Sequence, residues 1–105
     1  MVVIPDPCRR EIQELPASIR GDLADALARL DAGLGLSMPL SRPMPSIGRG
    51  VHELRLKDRS GGYRGVYALI HSGTAHVLHA FKKMAQATPK RNIEIAKRRL
   101  KEYGL

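Results

Sequence analysis

Between Gly50 and Lys83, hydrophobic positions fall into three short runs rich in Val, Leu, Tyr and Ile. Two glycine-bearing turn signals, Arg59-Ser60-Gly61-Gly62 and His71-Ser72-Gly73, divide them. Each run has the length of an ordinary strand, and glycine supplies the positive φ that tight hairpins need. The pattern predicts three consecutive antiparallel strands, Val51 to Asp58, Tyr63 to His71 and Thr74 to Phe81. In the first, His52, Leu54 and Leu56 share one face, and Val51, Glu53, Arg55 and Lys57 the other. One face is therefore mostly apolar and the opposite one mostly charged. In the second, Arg64, Val66, Ala68 and Ile70 oppose Tyr63, Tyr67 and Leu69. The third is apolar almost throughout, as a central strand is.

The flanking segments change to the helical period. Ile19, Leu23, Leu27 and Leu30 form one stripe after Pro16, and Gly33 and Gly35 end it. This helix is expected to cover one face of the sheet. A shorter helix, Cys8 to Glu14, is expected before it, capped by Asp6. Val2 to Ile4 has the character of a short edge strand. Residues 36–50 carry three prolines and two glycines and are expected to form a loop that wraps an edge, since proline forbids a regular ladder. Thr88-Pro89 predicts a helix start with Thr88 as the cap. In the helix that follows, Ile93, Ala96, Leu100 and Tyr103 make an apolar stripe, and Lys90, Arg91, Lys97, Arg98 and Lys101 spread over the rest. The sum is one α+β domain over residues 1–105: two N-terminal helices on a small antiparallel sheet, with a basic C-terminal helix.

Charge sharpens this picture. The net charge is +8 at pH 7, which favours nucleic acid, an acidic protein or an anionic membrane surface as partner. Residues 1–41 hold four basic and six acidic side chains, and residues 42–105 hold fourteen basic and four acidic. Such segregation points to a binding face. No apolar run approaches the roughly 20 residues of a membrane span, and the N-terminus has too few positive charges for a signal peptide. Cys8 is alone, so no internal disulfide forms, and a reducing cytoplasm is the expected compartment.

Several chemistries find no support. There is no glycine-rich phosphate loop and no Cys/His zinc spacing, so no metal or cofactor is expected. The ten carboxylates show no acid/base pairing, and four aromatic rings are too few for a stacking platform. What remains is cations on strands. RNA is cleaved when its 2′-OH attacks the neighbouring phosphate and the 5′-oxygen leaves. The reaction needs a base, donors for charge building on phosphorus, and an acid. Arginine suits the middle role, because its fork binds phosphate through two nitrogens and keeps its proton. Lysine serves as acid or base when nearby cations lower its pKa. Adjacent strands would bring together Arg55, Arg64 and Lys83 for this work, with Arg64 expected to be exposed beside its Gly-Gly turn. Arg42, Arg49, Lys57, Lys82, Lys90 and Arg91 are further candidates for RNA contact. His52 and His79, on neighbouring parts of one sheet, are candidate acid/base groups. Cations that only bind phosphate would give the same pattern.

These residues resemble the RelE/ParE toxin superfamily, in particular its HigB-like, "phage-related protein" branch. The resemblance runs through Arg42-Pro43-Met44, Gly48-Arg49-Gly50-Val51-His52-Glu53-Leu54-Arg55, Gly62-Tyr63-Arg64 with Tyr67, Val77-Leu78-His79-Ala80-Phe81 and Thr88-Pro89. It implies the toxin of a type II toxin–antitoxin pair that cuts mRNA on the ribosome without a metal and so inhibits translation. It also implies a cognate antitoxin, in this branch a helix-turn-helix protein. The family's catalytic roles fall on Arg55, Arg64 and Lys83. Where the family carries a second lysine, this chain has Met84, with Lys82 as the nearby cation. Two alternatives stand beside this: a ParE-like toxin acting on DNA gyrase, and a non-catalytic RNA-binding module. The near-neutral helix at 16–32, with Asp22, Asp25 and Arg29 off its stripe, is expected to offer the antitoxin a surface away from the cations.

Overall fold

The structure, a computed structural model, describes residues 1–70, 73–84 and 88–105. The turn expected at His71-Ser72 lies outside the described residues. The elements are β1 (Val2–Val3), α1 (Asp6–Gln13), α2 (Ala17–Asp31), β2 (Ser41–Pro43), β3 (Val51–Asp58), β4 (Gly61–Ile70), β5 (Thr74–Lys82) and α3 (Lys90–Glu102). The strands form one sheet in the order β1-β5-β4-β3-β2. The three long strands pair antiparallel, as their turn spacing dictates, and β1 adds parallel to β5.

Apolar side chains on the two sheet faces make two cores. On one face Ile19, Leu23, Ala26, Leu27 and Leu30 of α2 pack with Leu54, Leu56, Tyr63, Tyr67 and Val77. On the other, the α3 stripe of Ile93, Ala96, Leu100 and Tyr103 meets Val51, Val66, Ala68 and Leu78. The C-terminal helix is thus a structural cover as well as a basic element. Gly33 (φ 82°) ends α2: its N–H bonds to Leu30 O and that of Leu34 to Arg29 O.

Several local expectations are corrected by tertiary context. Residues 41–43, expected as loop, pair with Leu54, Glu53 and His52. Pro43 is tolerated because β2 is the outermost strand, where a missing N–H costs nothing. Pro5, not Asp6, is the N-cap of α1, which begins at Asp6. Pro89 likewise takes the cap position of α3. The Thr88 hydroxyl is drawn instead to the Glu53 carboxylate, 2.6 Å away.

The register across β4 and β5 shifts between Val66 and Tyr67, leaving Leu78 as an extra residue on β5. The face-alternation of β5 changes phase there, so Val77 and Ala80 both reach the α1–α2 core while Leu78 reaches the α3 core. Beyond β1 the outer edge of β5 is closed by side chains rather than by a strand. Cys8 Sγ donates to Val77 O, Arg99 Nη1 donates to Leu78 O, and Ala80 N–H donates to the Glu11 carboxylate.

Candidate nucleic-acid interface

At the end of the sheet away from its termini, β3 and β4 run past the short β2, and no residue of α3 lines the space they leave. An open groove lies there, bordered by Arg55, Lys57, Asp58, Gly62, Arg64 and Lys83, with Leu40 and Met84 among its other walls. Its shape follows from the hairpin. Arg59 and Ser60 alone separate the paired Asp58 and Gly61. Asp58 fixes this turn by accepting from Ser60 N–H at 2.8 Å and Ser60 Oγ at 2.6 Å, and it takes a further bond from Ser18 Oγ at 2.9 Å. These hydrogen bonds, that of the Ser60 hydroxyl foremost, hold the Asp58 carboxyl below its ordinary range.

Arg55 and Arg64 are direct cross-strand partners. Because Arg55 N–H donates outward to Leu40 O, their pair is the closely spaced kind, with Cα atoms about 4.5 Å apart. Like charges placed so are destabilising, and a third cation, Arg42, sits one strand further out. The compensation is Glu53, which is 2% exposed. It pairs with Arg42 across β2–β3, and its Oε1 lies 3.4 Å from Arg64 Nε. Burial lowers the pKa of Arg64. Glu53 acts against that, while Arg55 and Arg42 add to it. Arg64 Nη1 also donates to Tyr63 O at 3.0 Å. Two of its three nitrogens are committed within the protein, yet the side chain still lines the groove.

The expectation of an exposed Arg64 is therefore corrected: it is 7% exposed, held against the sheet by the Glu53 carboxylate and the Tyr63 carbonyl. Lys83 flanks Gly62 opposite Arg64. A Cβ on Gly62 would lie 3.7 Å from both Arg64 Nη1 and Lys83 Cβ, so the bare glycine lets the two cations border one space. Arg55, Arg64 and Lys83, singled out from the sequence, do converge, joined by Lys57.

Other candidates do not. Lys82 is paired with Tyr63 and holds its Nζ 5.9 Å from that ring's centre, on the opposite face from Arg64. It lines a different hollow with Arg91 and Asn92. Arg49 precedes the start of β3, six residues from Arg55, or about 20 Å along an extended chain. Lys90 and Arg91 open α3 beyond the groove. His52 and His79, the candidate acid/base groups on neighbouring parts of the sheet, are set on opposite faces by the register. His52 stacks on Tyr67, with ring centres 5.3 Å apart, over the α2 core, and burial lowers its pKa. His79 is 5% exposed and is held by Glu11 and Asn92. Neither ring lines the groove. Asp22, Asp25 and Arg29, expected away from the cations, surround one hollow with Arg55, Leu56 and Lys57.

Glu53 and Thr88 are the site residues that the sequence did not single out. Alternation put Glu53 on a charged face and so toward water. The usable signal was its position as the only carboxylate on the face of β3 that carries Arg55 and Lys57. Among the described residues, no three His, Cys, Asp or Glu side chains gather as a metal site.

Comparison with known proteins bears on this arrangement. The family described as Phage derived protein Gp49-like (DUF891) matches residues 10–101. The chain belongs to this family. No curated protein is significantly similar in sequence. Among solved structures, a mutant of the E. coli toxin RelE in the free state aligns over 97% of this chain and 95% of its own, at 21% identity and a TM-score of 0.63. The isolated E. coli RelE toxin aligns over 93% and 96%, at 22% identity and a TM-score of 0.56. The Gp49-like chain thus has the RelE fold, and family and fold together bear out the resemblance carried by its motifs. The groove lies on that shared fold, between β3, β4 and the end of β5.

Proposed function

We propose that this Gp49-like protein is the toxin of a type II toxin–antitoxin pair, an endonuclease that cuts mRNA on the ribosome. The observation that carries the proposal is the Arg55–Arg64 pair, two cations forced into direct opposition at the rim of an open groove. A fold keeps such a conflict where a ligand of opposite charge relieves it. A phosphodiester entering the open groove meets Arg55 and Arg64 on its non-bridging oxygens, where charge grows as the 2′-OH gives its proton to solvent water and its oxygen attacks phosphorus. Lys83, which borders the groove across Gly62, hands a proton to the departing 5′-oxygen in this reading. His52 and His79 have no part in this scheme. The partners are mRNA on the ribosome and a helix-turn-helix antitoxin, in the cytoplasm. No helix among the described residues is long and apolar enough to cross a membrane. Because Asp22, Asp25 and Arg29 adjoin Arg55 and Lys57, an antitoxin on α2 would overhang the groove.

The test uses the exposed Arg55 and the half-buried Lys83, both outside the two cores, so that loss of function is not loss of fold. Arg55→Ala and Lys83→Ala are expected to abolish growth arrest and mRNA cleavage on ribosomes while changing stability by less than about 0.5 kcal/mol. Arg64→Ala is a poorer probe. It leaves Glu53 buried without its cation, at a cost of about 3–5 kcal/mol. Growth arrest retained by folded Arg55→Ala and Lys83→Ala would point to a protein target such as gyrase. RNA binding without cleavage by the native protein would leave a binding module.

A further inference from the structure

Glu53 is an expensive residue. A carboxylate at 2% exposure loses nearly all its hydration, and in an interior position only tight pairing compensates for that. Each of its oxygens has a distinct partner. Oε1 faces the Arg64 guanidinium at 3.4 Å, and Oε2 accepts from Thr88 Oγ1 at 2.6 Å. Thr88 stands two residues before α3 begins. The carboxylate therefore ties a groove arginine on β4 to the segment that leads into the covering helix. It does so on a face where Arg42, Arg55 and Arg64 would otherwise repel one another. Without the carboxylate, Arg64 would have no anionic partner among the described residues and two cations pushing it away. Long side chains so placed swing toward water and lose a single orientation.

We propose that Glu53 is a positioning residue: its buried carboxylate, steadied by the Thr88 hydroxyl, holds the Arg64 guanidinium in one orientation toward the groove and couples that orientation to the docking of α3. The role rests on the assignment of Arg64 as a phosphate-contacting group. It adds that the helix covering the sheet sets how well the arginine is aimed. Misplacing a reacting group by about 1 Å costs on the order of 10²-fold in rate, so a bond remote from the groove has a kinetic consequence.

Two measurements on the full chain test this, with Glu53→Gln, Thr88→Val and Thr88→Ser. Valine keeps the shape of threonine and loses the hydroxyl, while serine keeps the hydroxyl. The first measurement is the 15N resonance of Arg64 Nε in the free protein, assigned by its loss in Arg64→Lys. A single, slowly exchanging signal is expected in the native chain and in Thr88→Ser, and a shifted or exchange-broadened one in Thr88→Val and Glu53→Gln. Should Glu53→Gln fail to fold, the Thr88 pair decides alone. An Arg64 signal identical in all four proteins overturns the positioning role whatever the activity. The second is cleavage of mRNA on ribosomes. Thr88→Val is expected to lower kcat by at least about tenfold with KM within about twofold, and Thr88→Ser to restore it. Equal kcat in the valine and native proteins, with a moved Arg64 signal, overturns the kinetic coupling. Native protein that shows the expected signals and cuts no RNA leaves Glu53 as the anchor of Arg64 and overturns the nuclease assignment instead.

Discussion

The clasp that joins α1, β5 and α3 gives a prediction with a worked magnitude. Glu11 Oε1 accepts from Arg99 Nη1 at 2.8 Å and from Ala80 N–H at 3.1 Å, and it lies 3.0 Å from His79 Nδ1. Burial by itself would raise its pKa. The hydrogen bonds of His79 and Arg99, the charge of His79 and the Ala80 N–H outweigh that and hold it at about 2, against an ordinary 4.5. At about 1.4 kcal/mol for each tenfold change in proton affinity, this corresponds to about 3 kcal/mol of stability. The side chain is 22% exposed, so water screens it only in part. Loss of one partner from a buried ion pair costs a similar amount, about 3–5 kcal/mol.

The perturbation is Glu11→Gln, which removes the charge and keeps an acceptor for Ala80. The folded-state pKa is depressed, so the stabilisation is fully present above about pH 4.5 and is lost as pH falls toward 2. Urea unfolding at pH 7 should show the variant less stable by about 2–3 kcal/mol. The gap between the two proteins should close steadily from pH 4.5 to pH 2. Taking the difference removes the titration of carboxylates common to both. A gap below about 0.5 kcal/mol at pH 7, or one that keeps its size down to pH 2.5, would refute the reasoning.

Two further outcomes follow from the sheet. Tyr67→Phe removes the phenol that bonds Ser41 Oγ at 2.7 Å, where both residues are 2% exposed. It should cost about 1–3 kcal/mol in thermal or urea unfolding, and adding Ser41→Ala should recover part of that loss. If Arg55, Lys57, Arg64 and Lys83 each meet one phosphate in the groove, log affinity for single-stranded RNA should fall with log salt at a slope of about −3. A slope near zero in a filter-binding titration would show that the groove does not hold the RNA backbone.

The sequence by itself determined what is local. Period-2 runs between glycine turns gave β3 and β4 and most of β5, and the stripes of Ile19 to Leu30 and Ile93 to Tyr103 gave α2 and α3 with their buried sides. Convergence of Arg55, Arg64 and Lys83 was also legible, because hairpin neighbours must adjoin. Tertiary structure decided the rest. Alternation tells which residues share a face, and not whether a helix covers it. Glu53 and Arg64 therefore read as solvent-facing, whereas the structure buries both on the face that also carries the α3 core. Residues 41–43 became a strand only because β3 offered a free edge that three residues can fill. One extra residue at Leu78 resets the phase of β5, and nothing in an all-apolar run marks where such a bulge falls. It is this register, fixed by the packing of the two cores, that puts His52 and His79 on opposite faces and turns Lys83 into the groove while Lys82 turns away.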